Sequence, residues 1–330
     1  MFSAVYIEEA VRDQAQVKAI LDRLPELPQI SIDQYGELFN RNRQNFRMQK
    51  QLPSLILAHK TGRRILPAPS GYGFESTRNG RGYYFSHMLN CIYDCRYCFL
   101  QGMFRSANYV LFVNYEDFQN DIETTISKSP AGSVFYSGYD CDSLALEPVS
   151  RFCSFILPLF ETHNEHILEI RTKSTQTRFL LEREPLPNCI VAMSFSPKRH
   201  SERWEHKVPS VEKRLESLVR LQQAGWPVAL RFEPVIAEPN VQRLYQELFE
   251  LVFTELDPSC LHSVSLGEFR LPVDFYKKMV RLYPQEPLLA KEMQSKSGMI
   301  TMANHSESLI PELERALLAY IKPANYYRCA

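Results

Sequence analysis

The chain has 330 residues, of which 45% are hydrophobic, so it is long enough to bury a large core in one domain with an appendage. Its 38 basic and 38 acidic side chains cancel, which excludes a polycation that binds nucleic acid through its overall charge. The sequence shows no apolar run of membrane-spanning length, no signal peptide and no disulfide framework among its cysteines. We therefore expect a soluble cytoplasmic protein without a membrane partner.

Residues 1–85 form the first predicted region, a mixed and partly helical N-terminal extension. Prolines interrupt its helical patterns, and the stretch 60–84 is rich in Gly, Pro and Ser, as loops are. Between 41 and 64 lies a basic segment without Asp or Glu, whose cations are Arg41, Arg43, Arg47, Lys50, Lys60, Arg63 and Arg64, and Arg78 and Arg81 follow it. Such a local excess is typical of a surface that follows a phosphate backbone, and a solvated basic helix face is the alternative.

From residue 86 to residue 330, short apolar runs alternate with longer amphipathic ones. The runs that we interpret as strands are 83–86, 133–137, 167–170, 189–195, 228–233 and 263–266. A helix is predicted over 211–221, where apolar residues recur with helical spacing, and Gly225 ends it. Alternation of buried strands with helices indicates a parallel sheet. With about six such units we expect an α/β fold, a partial barrel rather than a doubly wound sheet.

Three cysteines, Cys91, Cys95 and Cys98, follow the first predicted strand with the spacing C-x3-C-x2-C. Three thiolates can hold three irons of a cubane [4Fe-4S] cluster and leave the fourth iron open to bind another molecule. Structural zinc would require a fourth ligand, and no second pair of Cys or His stands at the usual spacing. In a barrel of this kind the chemistry lies on the loops after the strands, which is where the motif falls.

The motif resembles that of the radical S-adenosylmethionine enzymes, in which the open iron binds S-adenosylmethionine. A narrower similarity, to the spore photoproduct lyase family of DNA-repair enzymes, extends from about residue 60 to the C-terminus. It rests on the segments 60–63, 95–101, 172–173, 224–227 and 267–270 and on Ser194. The resemblance implies a partial (β/α)6 TIM-like barrel, a [4Fe-4S] cluster and S-adenosylmethionine. It also implies that Lys173 and Ser194 contact S-adenosylmethionine and that Asp142 lies near its ribose.

The family's catalytic cysteine stands in the segment Ala-Cys-Thr-Ser-Asp. Aligned by its Asp, this segment falls on 138–142, so Tyr139 takes the position of the family's cysteine and Cys141 lies two residues later. Cys141 could still donate the hydrogen atom, because residues two apart on an extended backbone share a face. The alternatives are a residue that contacts the cofactor and a small buried side chain. Tyr97 is retained and is expected to help return hydrogen to the cofactor, whereas Phe99 replaces a tyrosine that is frequent in the family.

The resemblance implies a carbon–carbon lyase that uses a 5′-deoxyadenosyl radical to split a UV-induced thymine–thymine lesion. We expect UV-damaged DNA as a partner, bound through Arg41, Arg43, Arg47, Arg63 and Arg64. A second expected partner is a reducing electron donor such as flavodoxin or ferredoxin. Trp204 is a candidate for stacking on an extruded base, although the interpretation as a core residue or a salt-bridged helix residue is favoured. Two alternatives remain: a radical enzyme acting on a peptide or small molecule, and a non-catalytic iron–sulfur protein that binds DNA or senses redox state.

Overall fold

The structure is a computed structural model that describes residues 2–69, 71–74, 80–302 and 306–329. Its strands are β1 (Val5–Glu8), β2 (Gln29–Ile32), β3 (Leu55–Ala58), β4 (Ile65–Pro67), β5 (Gly82–Phe85), β6 (Met88–Leu89), β7 (Asp94–Cys95), β8 (Tyr109–Phe112), β9 (Val134–Ser137), β10 (Ile167–Thr172), β11 (Cys189–Ser194), β12 (Glu205–His206), β13 (Val228–Val235), β14 (Leu261–Glu268), β15 (Arg270–Pro272), β16 (Met293–Lys296), β17 (Met299–Met302) and β18 (Tyr326–Cys329). Its helices are α1 (Ala15–Asp22), α2 (Gly36–Phe39), α3 (Phe46–Gln51), α4 (Leu100–Met103), α5 (Tyr115–Ile126), α6 (Glu147–Ser150), α7 (Phe152–Thr162), α8 (Arg178–Leu181), α9 (Lys198–Trp204), α10 (Val211–Gln223), α11 (Val241–Glu255), α12 (Val273–Leu282) and α13 (Ser306–Leu317). Among these described elements, no helix is both long and apolar enough to cross a membrane.

The larger of the two main sheets has eight strands in the order β18-β14-β13-β11-β10-β9-β5-β4. The strands from β5 to β18 pair in parallel, and β4 adds to β5 in the antiparallel sense. Strands β9 and β11 are buried at every residue, which is why the sequence shows them as continuous apolar runs. All six predicted strands are present, as β5, β9, β10, β11, β13 and β14. The prediction of a partial (β/α) barrel is therefore confirmed.

Helix α10 shows how the local sequence sets these strand–helix units. The Ser210 hydroxyl accepts a hydrogen bond from the backbone N–H of Lys213 at 3.3 Å, a helix cap that contributes about 1 kcal/mol. Leu215 and Leu218 lie on the buried face, and burying each contributes about 2 kcal/mol. Gly225 follows the helix with a φ of 89°, a conformation that favours glycine. The predicted helix thus ends where the sequence indicated.

The N-terminal region contains a second sheet that the sequence analysis missed. Its order is β2-β1-β3-β8-β6, with β6 antiparallel to β8 and the other pairs parallel. Helices α1 to α3 account for the helical patterns, but the strands are at most four residues long, too short for a periodic pattern to identify them. Because β6 and β8 come from beyond residue 85, this sheet extends across the predicted boundary, and β4 and β5 of the barrel come from before it.

Two hydrophobic cores meet at the loop that carries the cysteine motif. The large core lies between the barrel and its helices, and it includes Tyr93, Cys95 and Tyr97 of this loop. The second core lies beneath the N-terminal sheet, and it includes Met88, with Ile92 packed against it. The protein's own two cores therefore hold this loop from both sides.

Candidate active site

The cysteine motif lies in residues 86–99, here called the cluster loop, at the carboxyl end of β5. Strand β7 within it pairs with β12, so that Cys95 stands opposite Glu205. The backbone N–H of Arg96 donates to the carbonyl oxygen of Trp204 at 2.8 Å. The cluster loop is thus tied to the segment that follows β11, at the edge of the sheet where barrels carry their chemistry.

The three thiols are free and lie in one neighbourhood. Cys95 is buried, and Cys91 and Cys98 are half-buried. Burial raises the pKa of all three thiols, that of Cys91 to about 12, and charge on either of the other two raises the pKa of Cys95 further. Backbone N–H groups of Tyr93 and Leu100 bond to the sulfurs of Cys91 and Cys98 and favour their thiolate forms. Such N–H···S bonds are among the contacts that tune iron–sulfur clusters.

The donor set fits a cluster better than a single ion. Within the described ranges, no three side chains of His, Cys, Asp or Glu are grouped closely enough to hold one metal ion. Three thiolates spread over the cluster loop are the ligands that a cubane cluster uses. Zinc, the alternative considered from the sequence, would require a compact tetrahedral set.

A buried ion pair holds the cluster loop against the barrel. The Tyr97 hydroxyl donates to the Glu205 carboxylate, which also pairs with Arg214 at 2.6 Å; neither Glu205 nor Arg214 has an exposed side chain. Burial alone would raise the pKa of Glu205, but the charges of Arg214 and Lys173 and the hydrogen bonds from Tyr97 and Ser201 together outweigh burial and lower that pKa to about 2. Arg214 also donates to the carbonyl oxygen of Ser194 at 2.6 Å. One arginine therefore connects the cluster loop with the end of β11.

Asp142 positions the end of β10. Its buried carboxylate accepts hydrogen bonds from the Thr172 hydroxyl at 2.6 Å and from three backbone N–H groups, that of Lys173 at 2.6 Å among them. The ammonium of Lys173 in turn lies 5.7 Å from the centre of the Tyr97 ring. The structure thus brings together Asp142, Lys173 and the cluster loop, while the contact of Asp142 with a ribose stays a prediction.

Residues 139 and 141 do not share a face, so that premise of the sequence analysis is wrong. The chain turns after β9, since Gly138 has a φ of 76° and its carbonyl oxygen accepts from the Cys141 N–H at 3.4 Å. The ring of Tyr139 has its centre 4.3 Å from that of Tyr84 and 5.9 Å from that of Phe99, at the carboxyl end of the barrel strands. Tyr139 therefore lies beside the cluster loop.

Cys141 points elsewhere, into the second core. It is packed there with Met88, Leu111 and Leu146, and only 8% of it is exposed. Burial raises its pKa well above the usual value, and the Cys91 thiol is close enough to add to the effect. Cys141 is thus near the cluster loop but buried, and a hydrogen-donor role for it stays a prediction.

The candidate DNA contacts are spread over the surface. Arg64 pairs with Asp121 on α5 at 3.0 Å. Arg41 and Arg43 line a cavity of about 530 Å³ beside the N-terminal sheet. Arg47 lines a different cavity, of about 420 Å³, next to the cluster loop. The basic segment therefore contributes to at least three separate places.

Among the remaining candidates, the structure contradicts the stacking role of Trp204 and supports the alternative, a core residue. Its side chain is fully buried and packs on the ring of His200 at 4.9 Å, so it cannot stack on an extruded base. Arg63 is exposed, Arg81 is exposed, and Arg78 lies outside the described residues. The stacking prediction for Trp204 is wrong because the side chain completes the core under α9.

Comparison with known proteins gives the family. The family model described as spore photoproduct lyase matches residues 5–298. The chain belongs to the spore photoproduct lyase family. Spore photoproduct lyases of Bacillus subtilis and Clostridium acetobutylicum are 20% and 22% identical to it over 219 and 217 residues. Each match covers 65% of this chain and 64% of the relative, so it spans slightly less than two thirds of the relatives' length.

Solved structures of the family share the fold. A spore photoproduct lyase with a cysteine replaced by serine superposes with a TM-score of 0.83 at 15% identity, over 99% of both chains. A doubly substituted lyase with bound AdoMet and dinucleoside spore photoproduct also gives 0.83 at 15% identity, over 100% of this chain and 98% of that one. At such low identities the likeness shows only that the fold is shared, and its coverage includes both the barrel and the N-terminal sheet.

Proposed function

We propose that this chain is a radical S-adenosylmethionine lyase that repairs DNA by splitting a UV-induced thymine–thymine lesion. The observation that carries the proposal is the set of three free thiols on a loop at the carboxyl end of the barrel, with Lys173 beside that loop. Family membership supports the same activity. So does the solved relative that holds both AdoMet and dinucleoside spore photoproduct.

In this proposal Cys91, Cys95 and Cys98 hold a [4Fe-4S] cluster. When bound, the reduced cluster supplies the electron that cleaves S-adenosylmethionine to the radical that starts the reaction. The ammonium of Lys173 would pair with the carboxylate of S-adenosylmethionine, and the Ser194 hydroxyl would contact the same molecule. Asp142 would fix the backbone that presents Lys173, by the hydrogen bonds already described.

Two groups compete for the role of hydrogen donor. Tyr139 is half-buried and lies beside Phe99 of the cluster loop, which supports its phenol as the group nearest the reacting sugar and base. Cys141 offers a thiol hydrogen but is enclosed by the second core. Tyr97 would act with Tyr139 in returning hydrogen, and its contact with Glu205 keeps its ring fixed.

The proposed partners follow from charge and redox chemistry. Arg41 and Arg43 line a cavity with amide side chains, a surface suited to phosphates of UV-damaged DNA, and the exposed Arg63 would be a separate contact elsewhere on the surface. A flavodoxin or ferredoxin would supply the electron. A cytoplasmic location is supported by the eight cysteines, all of which are free thiols.

The test is turnover of irradiated DNA. The protein, reconstituted with iron and sulfide under anaerobic conditions, is reduced with dithionite and mixed with S-adenosylmethionine and an oligonucleotide irradiated dry. We expect 5′-deoxyadenosine and restored thymine, with neither from the matched Cys98→Ala variant. 5′-Deoxyadenosine without restored thymine would point to a different substrate, and neither product from an intact cluster would overturn the proposal.

A further inference from the structure

A basic cavity of about 420 Å³ borders the cluster loop. It is lined by Arg47, Lys50, Gln51, Asp94, Arg96, Lys207 and Tyr283. Four of these seven residues are cations and one is an anion, on a chain whose formal net charge is zero. A cavity with an excess of one charge sign attracts partners of the opposite sign.

Two residues of the cluster loop, Asp94 and Arg96, form part of the wall of this cavity. The ammonium of Lys50 donates to the carbonyl oxygen of Cys91 at 3.5 Å and lies 4.0 Å from the carboxylate of Asp94, the residue before Cys95. Arg96, two residues before Cys98, is 3.2 Å from the same carboxylate. A partner seated in the cavity would therefore touch both chain neighbours of Cys95, and it would touch Lys50, which bonds to the backbone of Cys91.

Two of the cations are available to a partner. Arg47 and Lys207 are exposed, and within the described residues neither lies within ion-pair distance of a carboxylate. Lys207 donates to the carbonyl oxygen of Lys50 at 3.0 Å, which connects the segment after β12 with α3. The guanidinium of Arg96 stacks 4.3 Å from the centre of the Tyr283 ring, a contact that restrains its orientation. Charged side chains held in this way lose little conformational entropy when a partner binds.

The side of approach distinguishes this cavity from the substrate site. Lys50 reaches the cluster loop from α3, which leads into the N-terminal sheet, whereas Lys173 reaches it from β10 of the barrel. In the proposed function the lesion itself has to reach the barrel side, where Lys173 and Tyr139 lie. A partner in the basic cavity could contact the cluster loop while that side remains open.

We propose that the basic cavity is the docking surface for a small acidic electron-transfer protein of the flavodoxin or ferredoxin kind. The inference rests on the proposed function, since only a protein with a redox cluster needs such a partner. One electron leaves the reduced donor and enters the cluster, so the donor is oxidised by one electron as the cluster is reduced by one, and no atom is transferred. Opposite charges bring the two proteins together and set their orientation.

The experiment measures binding directly. The reconstituted holoenzyme is titrated with a flavodoxin by isothermal titration calorimetry, at low and at high ionic strength. Arg47→Glu/Lys207→Glu should raise the Kd for flavodoxin about tenfold or more at low salt, because each reversal replaces attraction by repulsion. Lys128→Glu is the matched control, since this exposed lysine follows α5 at the opposite end of the parallel strands and should leave the Kd unchanged.

A second measurement separates this inference from the proposed function. With dithionite as reductant, the single variant Lys207→Glu should form 5′-deoxyadenosine as the wild type does, whereas with reduced flavodoxin its cluster should bleach more slowly in stopped flow. An unchanged Kd in the double variant overturns the inference, as does weakened binding of a DNA duplex with flavodoxin binding intact, which would assign the surface to nucleic acid. Absence of 5′-deoxyadenosine from the wild type with dithionite would instead refute the proposed function, whatever the binding result.

Discussion

Replacing Arg214 by Met tests whether the buried ion pair holds the cluster loop in place. Arg214 and Glu205 are 2.6 Å apart and both side chains are fully buried, so removing the guanidinium leaves an unpaired carboxylate in the core. Such a change costs about 3–5 kcal/mol in the free energy of unfolding. The Ser194 carbonyl oxygen and the Tyr97 hydroxyl would lose their fixed geometry as well.

The assay is urea denaturation of the cluster-free protein, with the iron content after reconstitution as a second readout. The matched control is Arg220→Met, an exposed arginine on the same helix, which should change stability by no more than about 0.5 kcal/mol. Arg214→Met/Glu205→Gln should recover part of the lost unfolding free energy, because the neutral amide leaves no unpaired charge in the core. If Arg214→Met lost less than about 1 kcal/mol, or if the double variant lost the sum of the two single changes, the reasoning would be refuted.

The same ion pair gives a pH dependence. The pKa of Glu205 is about 2 in the fold against 4.5 for an ordinary Glu, so its contribution to stability is complete above pH 4.5 and is lost as the pH falls towards about 2. The difference in unfolding free energy between the wild type and Glu205→Gln should therefore be constant near neutral pH and shrink over that range. A difference that stays constant down to pH 2 would show that Arg214 does not stabilise the charged form.

Three further changes probe the site. Cys98→Ala should abolish iron binding and the brown absorption after reconstitution, and the exposed Cys260→Ala should retain both; iron retained by Cys98→Ala would remove it from the ligand set. Gly102→Ala would place a methyl group 2.4 Å from the carbonyl oxygen of Phe275, so α4 and α12 must separate. The free energy of unfolding should fall by about 1–3 kcal/mol, and an unchanged midpoint of urea denaturation would contradict that contact. Tyr139→Phe should still release 5′-deoxyadenosine but give fewer restored thymines per radical, measured by mass spectrometry, and an unchanged ratio would leave Cys141 as the donor.

The barrel could be predicted because its strands are buried on both faces and separated by helices of ordinary length. Each then appears as a short apolar run with turn residues on either side, as β11 does. The N-terminal sheet could not be predicted in this way. Strand β2 is largely exposed, β3 has four residues after Pro53, and both are recognised only from the partners they pair with.

In the candidate site as well, features local in sequence could be predicted, whereas contacts between distant residues could not. The ligand cysteines are close in sequence, so their spacing alone indicated the cluster. The contact of Glu205 with Arg214 joins β12 to α10, and nothing in the sequence marks these two charged residues as buried. Tyr139 and Cys141 were placed on one face because an extended backbone was assumed, and the turn that begins at Gly138 separates them.

The most direct test of the central claim uses the lesion itself, without the rest of the DNA. Wild-type protein with a reconstituted cluster is given dithionite, S-adenosylmethionine and a dinucleoside spore photoproduct, and the products are followed by mass spectrometry against the Cys98→Ala variant. We expect two restored thymines for each photoproduct consumed by the wild type and none from the variant. A wild-type protein that binds S-adenosylmethionine at an intact cluster and leaves the photoproduct unsplit would contradict the account.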